Sequence, residues 1–172
     1  MEIVKCERKH LDMAADLYER VVAYLEETVN YPKWSKEYPC RETVLSSILR
    51  GEQYGCVEEG RMIGGFVLND NPGGDYGVGT WKKRLSPGEF LVIHTLAVDP
   101  SAGGRGVGGF MVDFCIQWAK GNGYKAIRLD VVPDNRPAIR LYERKGFSFA
   151  GRGDLDRGIE EIPVFDLFEL NF

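Results

Sequence analysis

The sequence predicts a mixed α/β fold, and three observations carry that prediction. Phe90 to Val98 is a nearly unbroken apolar, β-branched run halted by Asp99-Pro100, the pattern of a central strand buried on both faces. It leads into a glycine-rich loop, an amphipathic helix and a second strand, the order of a parallel βαβ unit. Upstream, two strand-like runs flank Glu59-Gly60 and read as an antiparallel hairpin, so the sheet is mixed.

In chain order, Glu2 to Cys6 reads as a first strand. Leu11 to Tyr24 reads as a helix with Leu11, Ala14, Ala15, Leu17, Tyr18, Val21, Val22 and Leu25 near one side. Asn30 to Pro39 carries two prolines and three large aromatics and reads as a loop, with a short helix over Arg41–Leu49 after it. Gln53–Glu58 and Arg61–Leu68 are the hairpin strands, and Gly64-Gly65 marks a bulge or a close backbone contact. Asn69 to Gly79 is a polar loop, Tyr76 to Trp81 reads as a short strand, and Ser86-Pro-Gly88 is a turn before the central strand.

After Pro100, five of the seven residues from Gly103 to Gly109 are glycine, which clears Cβ atoms from the path of a large anion. Val107, Phe110, Met111, Phe114, Cys115 and Trp118 then recur at helical spacing, and Gly121 and Gly123 mark the helix end. Lys125 to Val132 alternates Ile127, Leu129 and Val131 against Arg128 and Asp130. Asn135 suits an N-cap and Pro137 a first turn, with Ala138, Leu141 and Tyr142 on one face before Gly146. Phe149 to Gly151 and Pro163 to Leu170 complete the sheet.

At 172 residues, 44% hydrophobic and 28% charged, the chain is predicted to be one soluble domain over residues 1–172. The N-terminus has no apolar signal region and no stretch reaches membrane-spanning length, which predicts a cytoplasmic protein without membrane partners. Cys6, Cys40, Cys56 and Cys115 form no CxxC pair and there are two histidines, so neither a disulfide framework nor a metal site is expected. A net charge of −4 without a basic cluster argues against nucleic acid.

A glycine loop running into a helix leaves first-turn N–H groups without intrahelical acceptors, at the positive end of the helix dipole. This is a phosphate site. Gly104 to Gly109 also spells G-x-G-x-x-G, with Asp130 about twenty residues on as in dinucleotide folds. In such folds, however, the strand runs straight into the first glycine and more βα repeats follow, whereas here Asp99-Pro-Ser-Ala102 intervenes.

Val98-Asp-Pro100, the loop Gly103 to Gly109, Asn135-Arg-Pro-Ala138 and Leu141-Tyr-Glu-Arg-Lys-Gly-Phe147 resemble the acetyl-CoA-binding core of the GNAT acyltransferases. The resemblance implies a mixed central sheet of six to seven strands flanked by about four helices. The family's Gln/Arg-x-x-Gly-x-Gly/Ala pattern falls on Gly103 to Gly108; Gly106 and Gly108 match and Gly103 departs. It further implies that the backbone of Leu96, Ala97 and Val98 pairs with the pantetheine arm. Gly103, Gly104, Arg105, Gly106, Val107, Gly108 and Gly109 would hold the pyrophosphate, and Asn135 and Ala138 would contact the cofactor from the next helix. Tyr142 would face the thioester sulfur.

Acyl transfer to an amine needs a polarised carbonyl, a neutral nucleophile and a proton for the thiolate. The central strand's backbone can supply the first. Tyr142, with an ordinary pKa near ~10, can supply the last. His94 on the central strand is a candidate base, although a lone strand histidine is more often a hydrogen-bonded core residue. Asp130, beside it in a parallel pairing, could orient His94 or act itself, and Glu89 and Glu37 are further candidates. Cys115 lies on the apolar stripe of its helix and reads as inert core. Trp34 and Tyr38, with Tyr31, Tyr76 and Trp81, are assigned to the acceptor pocket; scattered aromatics of this kind are also ordinary packing residues. The expected activity is transfer of an acetyl group from acetyl-CoA to a primary amine of a small metabolite, amino acid or peptide, in a ternary complex and without metal. The alternative is a non-catalytic acyl-CoA sensor on the same fold. Monomer and homodimer are both left open.

Overall fold

Glu59 and Gly60 both take left-handed φ values, 49° and 76°, which is what a two-residue hairpin turn needs to match the twist of its strands. The computed structural model containing this hairpin describes residues 1–172. Its elements are β1 (Glu2–Lys5), α1 (Leu11–Glu27), α2 (Arg41–Leu49), β2 (Gln53–Glu58), β3 (Arg61–Asn69) and β4 (Phe90–Val98). These are followed by α3 (Val107–Gly121), β5 (Ala126–Val131), α4 (Arg136–Arg144), β6 (Ser148–Gly153) and β7 (Phe165–Asn171). The seven strands form one mixed sheet in the order β1-β2-β3-β4-β5-β7-β6. No helix is long and apolar enough to cross a membrane.

The chain divides into two compact units. The first comprises Met1–Asn30, Trp34–Leu68 and His94–Phe114. Here β1 pairs antiparallel with β2, and β2 with β3. Leu17, Tyr18 and Val21 of α1 pack with Val44 and Ile48 of α2, Met62 of β3 and Ala97 of β4. The sequence placed a bulge or close contact at Gly64-Gly65, and both features are found there. Cys56 pairs with Gly64 and Val57 with Met62, so Ile63 is the extra residue. A Cβ on Gly64 would come within 2.8 Å of the Met111 sulfur and 3.1 Å of Val107 Cγ1, so α3 rests directly on the backbone.

The second unit comprises Tyr31–Lys33, Asn69–Ile93 and Cys115–Phe172. Within it Phe90–Val92 pairs parallel with Ala126–Arg128, β5 pairs antiparallel with β7, and β7 with β6. Tyr76, Phe90, Val92, Ala126, Leu155, Phe165 and Leu167 share its core.

Two local expectations are corrected, and one charged residue is found buried. Tyr76–Val78 is a 3-10 turn, not a strand, because the Asp75 carboxylate accepts from Gly77 N at 2.7 Å and caps it. Trp118 is exposed rather than on the buried stripe of α3. The charged residue is Arg128, 3% exposed: its guanidinium lies 4.2 Å from the Trp81 ring and 4.3 Å from the Phe90 ring, and Nη2 donates to Lys83 O at 2.8 Å.

The close seating of α3 on β3 gives a direct test. Gly64→Val should destabilise the protein by ~1–3 kcal/mol through overpacking, read as a lower denaturant midpoint at unchanged slope.

Candidate active site

In the first unit, the end of β4 and the loop after it are fixed by one carboxylate. Asp99 is 1% exposed. Its Oδ2 accepts from Arg20 Nε at 2.8 Å and Arg61 Nη2 at 2.9 Å, and its Oδ1 from Ser101 N at 2.9 Å and Ser101 Oγ at 2.7 Å. Burial pushes this carboxyl up, but hydrogen bonds from Ser101 and the Arg20 guanidinium outweigh it and hold the pKa at about 2. The Asp99 backbone is held as well: its N–H donates to Ile63 O at 2.9 Å, and its C=O accepts from Ala102 N at 2.8 Å. Asp99 was read in the sequence only as a strand stop. Its partners Arg20 and Arg61 are 79 and 38 residues away, so no local pattern marks the cluster.

Beyond this anchor the loop is exposed from Gly103 to Gly106. Gly104 and Gly106 take φ values of 75° and 80°, and nothing lies within 4 Å of where a Cβ would stand on either. The N–H of Arg105 reaches Ala102 O at 3.4 Å, and the first α-helical bond runs from Phe110 N to Gly106 O. Between them the N–H groups of Gly104, Gly106, Val107, Gly108 and Gly109 have no hydrogen-bond partner. Arg105 turns its side chain to Glu58 of β2 in an ion pair. Gly103 has a negative φ, and a Cβ there would lie 3.2 Å from Pro100 O. Leu96, Ala97 and Val98 lie on β4 just before Asp99, and His94 is half-buried two residues before Leu96. Trp34 packs edge-on against Tyr18 at 6.2 Å, with its backbone bonded to the Asn30 side chain. Tyr38 is exposed and bridges to Ser35.

In the second unit, Asn135 caps α4 as its position implies, its Oδ1 accepting from Ala138 N at 3.3 Å. Tyr142 of α4 is 6% exposed, its ring 5.6 Å from that of Phe147. No group hydrogen-bonds its hydroxyl. Burial, then the neighbouring Cys115 and Asp130, push the Tyr142 phenol well above its ordinary value. Burial does the same to the Cys115 thiol, which is fully buried as expected.

Asp130 at the end of β5 is more occupied than the sequence suggested. Arg157 Nη1 donates to Oδ1 at 2.7 Å, Nη2 to Oδ2 at 2.8 Å, and Tyr76 Oη to Oδ2 at 2.7 Å. Arg157, which no motif marked, also donates to Gly73 O and Pro72 O. Tyr76 is buried, Trp81 Nε1 donates to Tyr76 O at 2.7 Å, and the two rings are 5.4 Å apart. Glu89 pairs with Lys125, and Glu37 is exposed.

Residues 14–147 match the acetyltransferase (GNAT) family. The chain belongs to that family. Over 92 residues this GNAT chain is 36% identical to an uncharacterised N-acetyltransferase of Methanocaldococcus jannaschii, covering 54% of this chain and 37% of that one. It spans between 23% and 48% of the length of the curated relatives compared. Its fold is that of a GNAT acetyltransferase from Streptococcus agalactiae, with a TM-score of 0.77 at 20% identity over 99% of this chain and 95% of that one. The PaiA N-acetyltransferase of Thermoplasma acidophilum, solved in complex with coenzyme A, superposes with a TM-score of 0.70 at 17% identity over 99% and 98%.

The Asp99 cluster predicts an acid limb of stability. A carboxyl held at about 2 contributes fully above its unfolded value near ~4, and that contribution disappears as pH falls from about 4 to about 2. Asp99→Asn should therefore cost ~2 kcal/mol at neutral pH, and denaturant melts between pH 5 and pH 2 should show a shallower decline than in the parent.

Proposed function

We propose that this GNAT domain, residues 1–172, transfers an acetyl group from acetyl-CoA to a primary amine of a small metabolite, amino acid or peptide. The observation that carries the reading is the set of unpartnered N–H groups on Gly104, Gly106, Val107, Gly108 and Gly109. They lie where no Cβ stands at Gly104 or Gly106 to keep an anion off, and at the positive end of α3. A diphosphate fits this donor set because it needs several N–H groups and no side chain. The coenzyme A complex of a relative with the same fold supports that choice.

Acetyl-CoA would supply an activated acyl thioester; the chain's own groups would orient it and manage the proton. The backbone of Leu96 to Val98 is assigned to the pantetheine arm and the acyl carbonyl, and Asn135 and Ala138 to further cofactor contacts. Tyr142 keeps its proton on Oη throughout the working pH range, since burial destabilises the phenolate. An unperturbed phenol lies close to an alkyl thiol in acidity. Desolvation raises the pKa of a phenol and a thiol alike, so burial at the site moves the donor and the departing thiolate in the same direction. Asp130 has three of its roughly four lone-pair positions filled, which suits a clamp better than a proton acceptor. We therefore assign the base role to His94, directly or through water. Trp34 and Tyr38 in the first unit, and Tyr76 with Trp81 in the second, are the residues proposed to contact the acceptor.

Calorimetry with coenzyme A tests the diphosphate site: Gly106→Val, which must abandon a φ of 80°, should weaken binding at least about tenfold with little change in melting temperature. Equal affinity in the variant would move the diphosphate elsewhere. For turnover, thiol release from acetyl-CoA across an amine panel is the assay. Tyr142→Phe should lower kcat by about ten- to a thousandfold while coenzyme A affinity stays within about twofold. An unchanged kcat removes Tyr142 from the chemistry.

A further inference from the structure

β4 contains a conformation that a strand does not require. Thr95 has φ +46°, in the left-handed region, and threonine is β-branched, so its side chain crowds the backbone there more than almost any other residue would. Glycine would occupy this position without strain. The distortion also shows in burial: Phe90 to Ile93 are buried without a break, His94, Thr95 and Leu96 are all half-buried, and Ala97 is buried again. Such a residue persists only where its surroundings over-determine it, and observed strain of this kind is evidence for a functional constraint.

The surroundings are specific. Tyr18 of α1 is 1% exposed, and its Oη donates to Thr95 O at 2.9 Å. Gln53 of β2 is also 1% exposed; its Nε2 lies 3.4 Å from Tyr18 Oη as donor and is itself fixed by Phe66 O at 3.1 Å and Tyr54 O at 3.2 Å. The edge of Trp34 closes the far side of the Tyr18 ring. The only hydroxyl that reaches the strained carbonyl thus belongs to a side chain with no freedom to follow it if the strand relaxes.

We propose that Tyr18, seated by Gln53, is a positioning residue: its hydrogen bond holds Thr95 left-handed and so turns the next peptide groups, from Leu96, toward the acyl carbonyl instead of along the sheet. This rests on the acetyl-CoA reading above and deepens it, because it gives the carbonyl-polarising backbone a cause in residues far from it in sequence. Tyr18 touches neither cofactor nor acceptor in this scheme; it acts through Thr95.

The test is a mutant cycle. Tyr18→Phe keeps the ring and removes the bond; Thr95→Gly removes the cost of the left-handed conformation. Tyr18→Phe should lower kcat about tenfold or more with coenzyme A affinity within about twofold, and Thr95→Gly in that background should restore kcat to within about threefold of the parent. A tyrosine that only packs the core would lower melting temperature without a kcat loss, or with a loss that glycine does not repair; either result overturns the proposal. The free protein supplies a readout independent of turnover. The amide resonances of His94 to Ala97 should move in Tyr18→Phe and return in the double variant, and unmoved resonances overturn the proposal even if the enzyme is active. If the parent turns over no amine while these resonances behave as expected, the acetyl-transfer reading fails and the positioning of the strand stands.

Discussion

The geometry of the glycine loop after β4 depends on a buried negative charge. Asp99 has almost no contact with solvent, and a carboxylate so placed is untenable unless several donors replace its water. Arg20, Arg61 and Ser101 do so, from α1, from β3 and from the turn that follows. Arg20 Nη2 also donates to Met62 O at 3.1 Å, so one guanidinium ties a helix, a strand and the exit of β4 together. Charge-assisted bonds are short and directional, which apolar contacts are not. The loop that follows has no packing of its own, since nothing stands within 4 Å of a Cβ at Gly104 or Gly106. Its order is inherited from Asp99 at one end and from Val107, buried in α3, at the other.

The same physics separates the two ionisable groups the sequence grouped as catalytic in the second unit. Tyr142 is buried and its hydroxyl makes no hydrogen bond, so its environment favours the neutral form. Asp130 is also nearly buried but is met by a bidentate guanidinium and a phenol. The first group keeps its proton, and the second is spent on holding Arg157 in place.

Much of this architecture was legible in the sequence because it is written in local terms. Phe90–Val98 and Arg41–Leu49 have the predicted bounds, the hairpin turn is at Glu59-Gly60, and Asn135 caps α4, since each depends on residues a few positions apart. The illegible parts are long-range. The alternation of β5 did not reveal where Arg128 lies: its guanidinium is buried because two aromatic rings and a carbonyl receive it, and Trp81 and Lys83 arrive from a segment about 45 positions away. Tyr76 to Trp81 has the composition of a strand, yet Asp75 bonds its own downstream backbone and turns the chain. Thr95 offered no signal, because a threonine in an apolar run is ordinary and only the backbone shows that it is left-handed. For the candidate site, the glycine loop was readable from its spacing, while Asp99 and Arg20, which hold the end of β4, and the Tyr18–Gln53 pair behind Thr95 were not.

Charges buried next to loops recur in both units, and the recurrence has a physical reason. In the second unit Arg128 stands directly opposite Glu169 in the β5–β7 register, both nearly inaccessible. Arg128 Nη2 takes Lys83 O, Glu169 Oε1 accepts from Lys82 N at 2.9 Å, and the Trp81 ring covers the guanidinium. Arg128 Nε and Glu169 Oε2 make no hydrogen bond, so as a contribution to stability this pair is poor value. What it supplies is direction: it specifies the placement of three consecutive residues of the Asn69–Glu89 connection, in addition to the apolar contacts that Tyr76, Trp81 and Leu85 make with the core. Arg157 does the equivalent for Pro72 and Gly73 through Asp130. Buried charge with oriented donors thus fixes a connecting segment in one place, and it does so at the cost of some net free energy.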